Sequence, residues 1–159
     1  FSTVRLSQVR PRCSEAAGLA AERATPEQIQ GLYATLAALQ EAFAAGSDGV
    51  EEDVRFHQQI AAATGNRHYV EVLCFLEQRI RKVTRITRAN EAGRASFAQQ
   101  VTLEHEAIVH AIEAGDAAAA RRAGRTHMVN AAKRIRQADK AFWNNEGGRY
   151  FNDLDTEPG

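Results

Sequence analysis

The chain has 159 residues, 20 basic and 20 acidic side chains, and no net formal charge. That length suits one domain with a core able to stand without disulfide or metal staples. With 44% hydrophobic and 25% charged residues, it is not a disordered chain, a collagen or a disulfide scaffold, and its neutral balance argues against nucleic-acid binding by bulk charge alone.

No apolar run approaches the ~18 residues that a membrane span needs. No period-two apolar run is bounded by turn residues either, so no sheet is expected. Residues 3–23 read as a first helix, with a kink expected at Pro11. Thr25-Pro26-Glu27-Gln28 opens a second: Thr25 as N-cap, Pro26 at the first helical position, Gln28 closing a capping box. Its stripe Ile29, Leu32, Leu36, Leu39, Phe43 requires a buried face, and Gly46 ends it. Ser47-Asp48-Gly49 leads into an acidic turn, Glu51-Glu52-Asp53, suited to the positive end of a third helix that stops near Gly65-Asn66.

A fourth helix is expected over residues 67–90, with Val72, Leu76, Val83 and Ile86 on one stripe, and Gly93 as its breaker. A fifth runs over residues 96–114 to Gly115. Asp116 caps a sixth that continues to Asn144-Asn145, leaving 146–159 as a polar tail and 1–145 as the domain. Short connections favour antiparallel neighbours, so the fold class is an all-α antiparallel bundle of six helices. The alanine runs 61–63 and 117–120 mark close helix packing. Cys13 and Cys74 are isolated, which fits a reduced, cytoplasmic setting, with a pairing of the two as the alternative.

Three of the five histidines turn inward. His57 follows Asp53 by four residues, so imidazole and carboxylate share a helix face that Ile60 and Ala61 continue towards the core. His105 lies on the stripe Val101, His105, Ile108, Ile112, and His127 on Ala120, Ala123, His127, Ala131. A lone inward histidine is an ordinary core residue with a hydrogen-bond partner. Three of them with an Asp-x-x-x-His pair leave two readings open: a ligand set for a transition metal inside a bundle, or packed core histidines. His110, about 140° round the helix from His105, should face solvent, and His68 has no role. The neighbours Glu104 and Glu106 point away from His105 by the same helical geometry, so no general base is evident.

Paired Glu-x-x-His, His-Glu-x-x-His, a phosphate loop and a nucleophile elbow are all absent. The basic segments, residues 79–94 and 121–140, read as solvated helix faces. Arg79 continues an apolar stripe and needs an anionic partner, either a protein carboxylate or a bound acid. Arg5, between Val4 and Leu6, raises the same question. Asn130, three residues after His127, faces either a ligand at the metal or a neighbouring helix.

Several segments in this order resemble the C-terminal effector-binding and dimerisation domain of GntR-type bacterial transcription regulators, the FadR-like (FCD) class. They are Val4-Arg5 with Pro11, Leu19 to Pro26, Asp53-Val54-Arg55-Phe56-His57, Gly65-Asn66, Glu104 to Ile108, Ala111 to Asp116, and His127. The resemblance implies a helical bundle around a pocket, with a divalent metal held by Asp53, His57, His105 and His127. Zinc comes first, with nickel, manganese or iron as alternatives. It also implies a small organic acid completing the coordination, its carboxylate gripped by Arg5 and Arg79, and a homodimer; Asn130 joins the candidate effector contacts only by its spacing from His127.

Regulators of this class carry an N-terminal winged-helix domain that binds DNA. No such pattern is present here, and a chain beginning at Phe1 is expected to be part of a longer parent. Arg10 also departs from a glutamate common in relatives. The expected function is an effector-sensing domain and not an enzyme. The alternatives are a metal-dependent enzyme acting on a small organic acid, or a structural interaction bundle.

Overall fold

Every regular element among the described residues is a helix. The computed structural model describes residues 4–72, 81, 84–87, 89, 95–138 and 144, and among these the side chains from residue 14 onward, 95 excepted. The helices are α1 (Val4–Arg23), α2 (Pro26–Ala44), α3 (Val50–Ala63), α4 opening at residues 67–72, α5 (Ala95–Glu113) and α6 (Ala117–Arg136). Among the described residues, no helix is long and apolar enough to cross a membrane.

The local signals act as expected at most ends. Thr25 Oγ1 accepts from the Gln28 amide at 3.2 Å, and Gln28 Oε1 accepts from the Thr25 amide at 2.9 Å, completing the capping box. Gly46 ends α2 with φ +77°. Asp116 Oδ1 accepts from the Ala119 amide at 2.8 Å and starts α6. Pro11 does not end α1, which runs through it. The end of α6 differs from expectation. It closes at Arg136, where the Gln137 amide is shared among the carbonyls of Lys133, Arg134 and Ile135. No glycine or proline marks that stop, and the residues beyond it are good helix formers, so the apolar pattern overran it. The tail, residues 146–159, lies outside the described residues, as do Leu76, Arg79, Val83 and Cys74.

Helix α1 packs on α3, α5 and α6, while α2 packs on α3 and α5, and α5 on α6. Small residues let α1 and α6 approach: Ala16, Ala17, Ala20 and Ala120 are all buried. Leu32, Leu36, Phe56, Ile60, Ile108 and Ile112 fill the centre. Full burial of a side chain the size of Phe56 contributes ~2–3 kcal/mol. Helix α3 reaches α5 through side chains, with the Phe56 ring 4.5 Å from that of His105. The inward stripes of α2, α3, α5 and α6 match the sequence reading. Residue 72 does not: Val72 is 38% exposed, although Ile86 of the same expected stripe is buried.

Candidate metal centre

Asp53 sits in the first turn of α3, where the helix dipole favours a carboxylate. One turn later, His57 lies over it. His105 comes from α5 and is fully buried, both ring nitrogens included. His127 comes from α6 and is 6% exposed. Four residues picked from helical spacing therefore do meet in space.

The three imidazoles each offer a nitrogen, and these nitrogens all lie within 4.8 Å of one another. The ring of His127 is 4.5 Å from that of His105 and 5.5 Å from that of His57, between centroids. Asp53 stands beside them. Its Oδ1 is 3.5 Å from His105 Nε2, and its Oδ2 is 3.9 Å from His57 Nε2. Both distances exceed the ~2.7–3.2 Å of an N–H···O hydrogen bond. Ligand atoms bound at about 2.1 Å to one ion lie roughly 3.0–3.4 Å apart. The cluster is a slightly open version of that spacing. A neutral imidazole carries one lone pair, and three of them converging in a buried space are held most favourably around a cation. The donor set, three nitrogens and one carboxylate, suits a first-row divalent metal.

The reading of Glu104 is corrected. Its side chain turns away from His105 as read but is not without a role at the cluster: it lies against α6, 11% exposed, and meets His127 there. Glu104 Oε2 accepts from Arg134 Nη2 at 3.0 Å and stands 3.0 Å from His127 Nδ1. Glu104 Oε1 accepts from Arg134 Nη1 and from Asn130 Nδ2, each at 2.8 Å. Burial pushes this carboxyl up, but the hydrogen bonds from His127, Arg134 and Asn130, together with the Arg134 charge, outweigh it and bring the pKa down to about 2.

Arg134 is corrected with it. At 3% exposure it is a core residue, not part of a solvated face. That description does fit Arg122, Arg125, Lys133 and Arg136, which are exposed. A signal for Arg134 was present in the sequence. His127, Asn130 and Arg134 follow the spacing i, i+3, i+7, a polar stripe on one face of α6 that needs an acceptor opposite.

The remaining sites sort as follows. Asn130 donates to Glu104 and keeps a second N–H and its oxygen for another group. The side chain of Arg5 and the whole of Arg79 lie outside the described residues. His110 is exposed beside Tyr33, as expected. His68 faces Glu71 on the surface, its Nδ1 3.2 Å from Glu71 Oε2.

The FCD domain matches residues 14–130. Among solved structures, the chain is similar to Streptococcus agalactiae GntR, with 26% identity and a TM-score of 0.63. The match covers 82% of this chain and 55% of that one, so the chain spans about half the length of that protein. No curated protein sequence matches.

Proposed function

The chain belongs to the FCD domain family, the regulatory and non-enzymatic effector-binding part of GntR-type regulators, and from that premise we propose that Asp53, His57, His105 and His127 hold one divalent metal ion, zinc first, to which a small organic acid binds as effector. The observation that carries the reading is the convergence of three imidazole nitrogens within 4.8 Å, from three separate helices. The Asp53 carboxylate at 3.5 and 3.9 Å from two of those rings supports it.

Bound there, the ion supplies Lewis acidity and open coordination positions for an effector carboxylate. The chain supplies the frame. Asp53 lowers the net charge of the site, and Phe56 walls one side of the His105 ring. Asn130 is assigned to the effector with its remaining amide atoms, and Arg5 and Arg79 are assigned to its carboxylate as a charge pair. In the cytoplasm the parent protein would work as a homodimer, with DNA held by a winged-helix domain. An effector alters DNA binding only if it binds the two states of the dimer unequally. Couplings of this kind amount to ~1–3 kcal/mol.

Metal content tests the reading. Protein purified without added metal or a histidine tag should carry near one transition-metal ion per chain by mass spectrometry, and His57→Ala and His105→Ala should lose it. Wild-type protein that stays empty after loading and dialysis would sink the ligand assignment. A thermal-shift screen of small carboxylic acids on the loaded protein then tests the effector class.

A further inference from the structure

Glu104 lies outside the four proposed ligands but touches one of them. Neutral imidazole carries a single N–H, and the partner of one ring nitrogen decides which of the two keeps its lone pair. At His127 that partner is Glu104, 3.0 Å from Nδ1. Three N–H groups from Arg134 and Asn130 already point at the same carboxylate. Arg134 is almost fully buried and brings a permanent positive charge. A carboxylate so paired is ionised and has no proton to give. Nδ1 of His127 must therefore be the donor, and Nε2 keeps the lone pair.

We propose that Glu104 is the positioning residue of the metal centre: it holds His127 as the Nδ1–H tautomer, leaves Nε2 for the ion, and is itself clamped by Arg134 and Asn130. This rests on the reading of His57, His105 and His127 as ligands. Carboxylates that orient metal-bound histidines in this way raise ligand basicity and lock the ring. Here the clamp also joins α5 to α6. The affinity of the centre for metal is thus tied to how these two helices sit together, and movement of α6 along α5 would turn His127 out of place.

Two measurements decide it. The first uses metal-stripped, 15N-labelled wild-type protein at alkaline pH, where imidazoles are neutral. The 15N spectrum of the histidine rings should show His127 protonated at Nδ1 and bare at Nε2, with the signals assigned by their loss in His127→Ala. A proton on Nε2 overturns the proposal, whatever the metal does. The second is a competitive cobalt(II) titration of wild type and Glu104→Gln. The variant should bind about 10–100-fold more weakly with an altered visible spectrum, while its helical circular dichroism is retained. Equal affinity and an unchanged spectrum in a folded variant also overturn it. Should wild type take up no cobalt, the ligand reading fails, and the tautomer measurement alone judges Glu104. It likewise decides if Glu104→Gln does not fold.

Discussion

At Glu104, burial and hydrogen bonding oppose each other, and hydrogen bonding wins. Its pKa of about 2 lies below the ordinary 4.5. A carboxyl lowered in the folded state stabilises the protein above its unfolded pKa, and the gain is lost as pH falls through the folded value. The shift corresponds to an order-of-magnitude ~3 kcal/mol. In metal-free protein, the urea unfolding free energy of wild type should therefore fall by about that much more than that of Glu104→Gln between roughly pH 5 and pH 2. Parallel curves for the two proteins would show that the carboxylate is not held as described. The four proposed ligands were legible in the sequence, because each sits on a periodic stripe or one turn from a partner. Glu104 was not. Helical geometry says that it points some 100° away from His105, but not that α6 waits on that side. The same blindness left Arg134 among the solvent-facing bases, although its spacing from His127 and Asn130 held the clue.

Helix ends were legible wherever a residue performs a local chemical task. Thr25 and Asp116 show this, whereas Gly49 reads only as part of the lead-in to α3, and its task is a backbone one. It caps α3 at φ +64°, and a Cβ there would stand 2.6 Å from Leu39 Cδ1 and 3.2 Å from Phe43 Cε1. Leu39 is buried and cannot yield cheaply. Gly49→Ala thus combines left-handed strain, ~1–2 kcal/mol, with overpacking, ~1–3 kcal/mol. Gly46 has a similar φ of +77° but open space around it, so Gly46→Ala should cost the strain alone. Thermal or urea unfolding of the two variants separates these contributions: Gly49→Ala should be the less stable by ~1–3 kcal/mol, and equal losses would mean that the close approach to Leu39 relaxes freely. Thr25→Ala, which removes a reciprocal cap, should cost ~1 kcal/mol. The end of α6 at Arg136 was illegible for the converse reason, since no residue there carries a stop signal.

Across the whole molecule, the pairing of helices is the part that sequence conceals. Helix α1 lies along α6, the element furthest from it among those described, through alanine faces that would suit any close neighbour. Contacts between small apolar residues are non-directional, so nothing local names the partner. The histidines, by contrast, name a shared destination, because one ion can demand three of them. If that ion is bound, it cross-links α3, α5 and α6, and only the folded chain presents all its ligands together. Binding then stabilises by mass action, ~2.7 kcal/mol when free metal is about 100 times the dissociation constant. For a domain of this size, each kcal/mol moves the midpoint by ~2–4 °C. Removing the metal with a chelator should lower the calorimetric Tm by about 5–10 °C, and adding it back should restore the midpoint. His105→Ala should unfold at a temperature that neither chelator nor metal changes. A wild-type midpoint equally indifferent to both would make the cluster a packed core and leave the helices held by apolar burial alone.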